Sequence, residues 1–185
     1  MKLIHWNYFL ALEDDLLRLS RFIEFSKKNF KTYSLELAHL LLASTSEIDV
    51  VLKMLCKPFN PNASEEKDYR SCIPIKISAF TKIKVLMPRY ELTFQPWHSW
   101  SKNITPAWWT AYNKVKHKRN EHYELASLRN VFQSMAGLFV SNLYLYKDIA
   151  NKGELSPWSK CFDLEEKYAK AISPAEGGWT LYCNL

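Results

Sequence analysis

The sequence predicts an all-α protein, a helical bundle of four to five main helices. Only four of the 185 residues are glycine, which disfavours a sheet with many tight turns. Long runs rich in Leu, Lys, Glu and Ala carry apolar residues at helical spacing. Hydrophobic residues make up 48% of the chain, which is enough for one core. We therefore expect one bundle domain over residues 1–150 and a short C-terminal packing tail over residues 151–185.

The first two helices follow from apolar periodicity. Residues 7–28 carry Leu and Phe at amphipathic spacing, which predicts a helix that packs on a core. Residues 34–56 are apolar on nearly every face, so we expect the central helix there. Its polar positions fall on one narrow stripe at 100° per residue. They are His39, Ser46, Asp49 and Lys53.

The middle of the chain is interrupted by prolines. A third helix is expected from about residue 63 to Leu86, with a kink or break near Cys72 because Pro74 lies inside it. Residues 87–104 predict a long irregular connection that packs its tryptophans on the bundle. Apolar residues alternate at 90–94, a pattern that is compatible with a short strand there.

Two further helices are expected after this connection. Thr105 and Pro106 read as an N-cap followed by proline at the first helical position. The helix that follows, which we call the motif helix, runs through Trp108–Tyr123. A strongly apolar last helix is then expected over residues 124–149.

Charge and cysteine content narrow the classes of protein. The net charge is +6, and the excess lies in residues 61–146, which favours an anionic partner mildly; the same charge also occurs in proteins without one. Four widely separated cysteines show neither metal-ligand spacing nor a disulfide framework, so we expect reduced thiols and neither metal nor cofactor. Acidic residues at 13–15 argue against a signal peptide, and no apolar run is long enough for a membrane span. A cytoplasmic protein is expected.

The motif helix carries the candidate functional residues. If it continued unbroken into the last helix, four polar residues would lie within about 60° of one another and point toward the bundle. They are Asn113, His117, Asn120 and Glu124. Arg119 and His122 would then share the face of Trp108, Tyr112 and Val115, whereas a break near Asn120 would change every angle. Arg119 suits a phosphate, although a salt bridge to Glu47 or Asp49 would also explain it.

The order of elements and one motif resemble a known superfamily. The motif is Trp108-Trp109-x-x-Tyr112-Asn113-x-x-Lys116-His117-x-Arg119-Asn120. With the buried second helix and the apolar last helix, it resembles the HEPN-like helical proteins over roughly residues 7–150. Members of that superfamily are small bundles that often dimerise, and many are metal-independent ribonucleases of toxin or antiviral systems. Their hallmark is an Arg, commonly followed by a polar residue such as Asn, and a His four to six residues further on.

The resemblance implies roles for individual residues. Arg119 would stabilise charge on a phosphoryl group, and His122 or His117 would act as the base, because His122 follows Arg119 by only three positions and no later His exists. Asn113, Lys116 and Asn120 would bind RNA or phosphate. The expected partners are RNA or a nucleotide, a second copy in a homodimer, and an antitoxin or defence-system protein.

Two other functions stay open from the sequence. The same side chains would serve a non-catalytic RNA- or nucleotide-binding module, which the shortened Arg and His spacing favours. The motif helix would equally serve a protein-interaction surface without a nucleic-acid role, since Trp, Tyr and Arg are common interface anchors.

Overall fold

The computed structural model describes residues 2–172 and 180–185. Within those ranges the chain is largely helical, with a small amount of strand. The helices are α1 (Ile4–Leu19), α2 (Leu35–Cys56), α3 (Glu66–Lys76), α4 (Ala107–His122), α5 (Leu128–Leu145) and α6 (Lys147–Asn151). The strands are β1 (Val85–Met87), β2 (Leu92–Phe94), β3 (Asp163–Leu164), β4 (Ala169–Ile172) and β5 (Thr180–Cys183).

The centre of the bundle is the packing of α2 against α5. Ser44 on α2 and Ser134 on α5 bring their hydroxyl oxygens within 2.8 Å in a fully buried contact. Gly137 allows close approach on the same helix, because a Cβ there would lie 3.3 Å from the Trp108 ring and 3.4 Å from the Trp97 ring. The two helices therefore meet through small residues, with large aromatics packed around them.

The second helix has the predicted bounds. Ser34 is its N-cap, and its hydroxyl accepts a hydrogen bond from the backbone N–H of Leu37 at 3.2 Å. This satisfies one of the amide groups that a helix start leaves without a partner.

The first helix is shorter than the prediction of residues 7–28. It begins at Ile4 and ends at Leu19, where the Ser20 hydroxyl donates to the Leu17 carbonyl at 2.7 Å. Such a local bond offers the backbone an alternative to the helical ladder. Phe22 is then 82% exposed, while Phe25 packs into the core edge-on against Phe132. The apolar residues after Leu19 therefore belong to a non-helical segment that packs on the core, and they do not extend the helix.

The third helix also differs from the prediction of residues 63–86. It ends at Lys76, two residues after Pro74, so the proline lies in the last turn and ends the helix instead of kinking it. Residues 85–87 form a strand that the sequence did not predict.

The prediction of an all-α protein is correct only in part, because the largely helical chain also contains short strands in its described residues. β1 pairs antiparallel with β2, as the alternation at 90–94 allowed, and also with β3, giving the order β2-β1-β3. β4 pairs antiparallel with β5 in a separate two-stranded sheet. Strands of two to four residues carry too few positions to show a period, so only pairing with distant segments reveals them.

The last helix begins later than predicted and stops earlier. Ser127 caps α5 by accepting from the backbone N–H of Asn130 at 3.4 Å, and α5 ends at Leu145 before the short α6. A short 3₁₀ turn at Tyr123–Leu125 separates α4 from α5. The two helices are therefore not continuous.

The segment after α6 is held to α1 by polar contacts. Glu13 is 1% exposed, and its carboxylate accepts from the Ser159 hydroxyl and from the backbone N–H groups of Lys160 and Cys161 at 3.0 and 2.9 Å. The Trp6 indole N–H donates to the Pro157 carbonyl at 2.9 Å. A buried carboxylate needs hydrogen-bond donors, and the segment after α6 supplies them to Glu13 of α1.

Candidate functional site

One face of α4 is fixed by aromatic packing. Trp108 is buried, and its indole N–H donates to the Pro96 carbonyl at 3.1 Å. Its ring meets that of Trp97 edge-on, with ring centroids 5.2 Å apart. Tyr112 and Val115 continue the buried face one and two turns on. The first three turns of the motif helix are thus a rigid support for the side chains on its other faces.

The four polar residues of the motif helix are not buried against the bundle as predicted. All four are exposed: Asn113, His117, Asn120 and Glu124. Their predicted direction depended on a continuous helix into α5, and the 3₁₀ turn at Tyr123–Leu125 breaks that continuity. The apolar face of α5 therefore gives no information on which face of α4 is buried.

A second break lies inside α4, at Lys118. Its backbone has φ −143° and ψ 48°, which is not helical. Arg119 is consequently exposed instead of sharing the buried face of Trp108 and Tyr112, and His122 is half-buried. Arg119 forms no salt bridge to Glu47 or Asp49 in the described residues.

The two acidic residues have other partners. His5 Nδ1 lies 2.5 Å from a Glu47 carboxylate oxygen. The Tyr69 hydroxyl donates to Asp49 at 3.1 Å. Burial, and then the nearby Asp49 carboxylate, raise the pKa of the Tyr69 phenol, which stays protonated as a donor.

The segment 27–33 packs beside the end of the motif helix. An isolated antiparallel bridge pairs Tyr33 with Ser127, and the backbone N–H of Leu128 donates to the Thr32 carbonyl at 2.8 Å. The Arg129 backbone N–H donates to the Phe30 carbonyl at 3.2 Å. Long-range backbone pairing therefore joins a lysine-rich segment to the region just after α4.

This pairing creates what we call the basic surface. Its exposed cationic members come from two separate parts of the chain: Lys27, Lys28, Lys31, Arg119 and Arg129. Tyr33, which forms the bridge to Ser127, is 50% exposed. No salt bridge engages any of these cations within residues 2–172 and 180–185. The sequence analysis missed the contribution of segment 27–33, although its three lysines in five positions were a signal.

Asn113 and Lys116 belong to a different place, which we call the polar cleft. It is a cavity of about 460 Å³ between α2, α3 and α4. Its lining consists of Asp49, Ser64, Glu65, Glu66, Lys67, Arg70, Thr105, Trp109, Tyr112, Asn113 and Lys116. The structure thus divides the predicted site residues: Asn113 and Lys116 line this cleft, and Arg119 and His122 lie beyond the break.

One wall of the polar cleft is a group of polar contacts to the carboxylate of Glu66. Its carboxylate accepts from the Trp100 indole N–H at 2.7 Å and from the Thr105 hydroxyl at 3.0 Å. Arg70 Nε lies 3.3 Å from the same carboxylate. Thr105 was predicted as the N-cap of the motif helix, but Pro106 occupies that position and Thr105 bonds to α3 instead. Sequence reasoning had no signal for this wall, because its residues are far apart in the chain.

The opposite wall carries Lys116. Its Nζ atom lies 5.4 Å from the centroid of the Tyr112 ring and donates to the Tyr112 hydroxyl at 3.3 Å. The ammonium group is thus oriented by a neighbour one turn earlier and forms no salt bridge to a described carboxylate.

Two further properties bear on the class of protein. Across the described ranges, His, Cys, Asp and Glu side chains do not gather in threes as a metal site would require. No described helix is both long and apolar enough to cross a bilayer.

Comparison with known proteins gives no match to a family model, a curated protein or a solved structure. The function proposed below is therefore argued from the fold and the site.

Proposed function

We propose that the protein binds RNA through the basic surface. The observation that carries the proposal is the backbone pairing at Tyr33 and Ser127, which places lysines from before α2 beside the end of α4. Cations that neutralise phosphates release counterions, and this supplies most of the affinity for nucleic acid. Exposed cations without carboxylate partners are the groups that can do so.

The arrangement favours binding over a protein-interaction surface without nucleic acid. The large aromatics of α4 that would serve as interface anchors, Trp108 and Trp109, are 3% and 5% exposed and already packed in the core. What α4 offers to a partner is mostly charge.

A salt-dependent binding assay tests the proposal. We expect a labelled single-stranded RNA of about 20 nucleotides to bind with an affinity that falls steeply between about 50 and about 200 mM salt. The double variant Lys28→Gln/Lys31→Gln should bind about tenfold more weakly at the lower salt and show a shallower salt slope. The absence of salt-sensitive RNA binding would refute the proposal.

A matched control lies at the other end of the bundle. Lys53→Gln/Lys57→Gln removes the same charge from the C-terminal end of α2, about 33 Å from its first residue at 1.5 Å per residue. This variant should keep nearly the full RNA affinity. An equal loss in both double variants would show that net charge, and not the basic surface, governs binding.

A second candidate function is the metal-independent ribonuclease that the HEPN-like resemblance implies. Arg119 and His122 favour it, since they lie three residues apart after the Lys118 break, at the end of α4. A neutral His122 imidazole would take the proton of a ribose 2'-hydroxyl, whose oxygen attacks the adjacent phosphorus. The bond to the 5'-oxygen breaks, giving a 2',3'-cyclic phosphate and a 5'-hydroxyl once that oxygen is protonated. Arg119 would stabilise the negative charge on the phosphoryl oxygens.

Cleavage in the presence of EDTA tests this second function. Arg119→Ala and His122→Ala should each abolish cleavage while RNA binding persists, and His117→Ala tests the other imidazole. RNA that stays intact with the unchanged protein at saturating binding would exclude the ribonuclease and leave the binding function.

The resemblance also implies association with other proteins. Two motifs paired across a homodimer would supply a second acid–base group, and light scattering measures whether a dimer forms. A cleaving member of a toxin or antiviral system would need a restraining partner, which co-purification from the native host tests.

A further inference from the structure

Two opposite charges face the polar cleft without pairing. Asp49 is half-buried on α2, and Lys116 is exposed on α4. Both line the same cavity of about 460 Å³, yet they are not within salt-bridge distance of each other or of any other described residue of opposite charge. Lys53, one turn along α2 from Asp49, is not paired with it either.

The remaining charges of the cleft neutralise one another. Lys67 Nζ lies 2.5 Å from a Glu65 carboxylate oxygen, and Arg70 Nε lies 3.3 Å from Glu66. Glu66 also has its two hydrogen bonds from Trp100 and Thr105. The lining thus sums to zero charge and leaves one carboxylate and one ammonium available.

The net charge of zero in the polar cleft indicates which ligand charges it can bind. A polyanion gains little from a neutral cleft and is better served by the basic surface. A molecule with one positive and one negative group would match both open side chains. Pairing each charge of the ligand with its opposite also avoids leaving an unpaired charge in a partly buried site.

We propose that the polar cleft binds a small zwitterion of the amino-acid class. The ligand ammonium would be bound by the Asp49 carboxylate, whose Oδ1 atom already accepts a hydrogen bond from the Tyr69 hydroxyl. The ligand carboxylate would be bound by Lys116 Nζ and by the side-chain amide of Asn113. Both are charge-assisted hydrogen bonds, the stronger kind in proteins. This site is separate from the proposed RNA-binding surface and does not depend on it.

Calorimetric titration tests the proposal with defined probes. The twenty common L-amino acids are titrated one at a time, with acetate and methylamine as probes that carry one charge each. We expect at least one amino acid to bind with a dissociation constant below about 1 mM, and neither single-charge probe to bind in that range. Failure of all twenty amino acids, or equal binding of acetate or methylamine, would overturn the proposal.

Charge-removing variants locate the site. Asp49→Asn keeps an acceptor for Tyr69, and Lys116→Gln keeps most of the stem; each should weaken amino-acid binding at least about tenfold. Lys114→Gln is the matched control, because Lys114 is exposed on the same helix and does not line the cleft. Circular dichroism and urea unfolding confirm that the variants fold. Binding that survives both cleft variants would overturn the proposal, and RNA affinity that stays unchanged in Asp49→Asn shows that the two sites are independent.

Discussion

The ring of Tyr33 meets the ring of Tyr123 edge-on, with centroids 5.3 Å apart and ring planes inclined at 80°. Tyr123 follows directly after α4, and Tyr33 precedes α2, so the contact joins two regions about 90 residues apart in sequence. Because Tyr33 is also held by its bridge to Ser127, its exposed half is presented in a fixed orientation beside the basic surface.

The first prediction concerns this exposed ring. A nucleobase can stack on Tyr33, and such stacking is worth about 1–3 kcal/mol per base. Tyr33→Ala should therefore weaken binding of single-stranded RNA about tenfold, while Tyr33→Phe, which keeps the ring, should bind nearly as well as the unchanged protein. Fluorescence anisotropy measures both. Equal affinity of all three proteins would show that the RNA passes over the lysines without contacting the ring.

The second prediction concerns the buried carboxylate of Glu13. Glu13→Ala leaves the backbone N–H groups of Lys160 and Cys161 without acceptors in a buried place, so the free energy of unfolding should fall by about 2–4 kcal/mol. Glu13→Gln keeps one acceptor oxygen and should lose less. Asp15→Ala is the control, because its 3.1 Å pair with Arg18 is exposed and should contribute less than about 1 kcal/mol. Urea unfolding followed by circular dichroism compares the three variants.

The third prediction concerns Gly137. A Cβ at this position would lie 3.3 Å from the Trp108 ring and 3.4 Å from the Trp97 ring. Gly137→Ala should therefore change the free energy of unfolding by less than about 1 kcal/mol, because the higher helix propensity of alanine offsets the tight contact. Gly137→Val adds two methyl groups to the same space and should cost about 1–3 kcal/mol. Gln133→Val, on the less buried side of α5, controls for the low helix propensity of valine. A Gly137→Val variant as stable as Gln133→Val would contradict the packing described for α5.

The fourth prediction concerns alkaline pH. Burial raises the pKa of the Cys56, Cys161 and Cys183 thiols from 9.0 to about 12. Between these values the thiols stay protonated in the folded protein and ionise in the unfolded chain. The unfolded state then binds fewer protons, so stability is complete below pH 9 and falls as the pH rises, by up to about 1.4 kcal/mol per pH unit for each thiol.

Urea midpoints at about pH 8 and about pH 10 measure this slope. Cys161→Ala removes one of the three thiols and should make the slope shallower, whatever its effect on stability at neutral pH. A slope that Cys161→Ala leaves unchanged would assign the alkaline loss to other groups. The Tyr69 and Tyr144 phenols are the next candidates, since burial raises their pKa values as well.

The sequence predicts best those helices whose signals are local. The bounds of α2 follow from its apolar run and from Ser34, whose capping bond forms within four residues. The ends of α1 and α3 were placed too far along, because apolar spacing continues into segments that pack on the core without being helical. Phe25, which the periodicity assigns to α1, instead packs against Phe132.

The candidate site was predicted only in part, for a physical reason. Residues of the motif helix were identified, but their expected direction depended on continuity into α5, which the 3₁₀ turn at Tyr123–Leu125 breaks, and for Arg119 and His122 also on the backbone angles at Lys118. The residues that line the polar cleft with Asn113 and Lys116 come partly from α2 and α3, and the lysines of segment 27–33 are brought close to the region just after α4 by long-range backbone pairing. Such neighbours are determined by tertiary packing, and the apolar periodicity of one helix does not show which other segments pack beside it.

The contact between Glu13 and residues 159–161 also has a consequence for synthesis on the ribosome. Helix α1 is made before the donors that satisfy its buried carboxylate, which follow Glu13 by 146 to 148 residues. Until that segment has left the exit tunnel, α1 cannot dock in its final position without burying a charge that lacks partners. The bundle can therefore reach its native packing only after residues 159–161 have emerged, and a ribosome stalled before residue 159 carries a chain in which α1 is still accessible to chaperones and proteases.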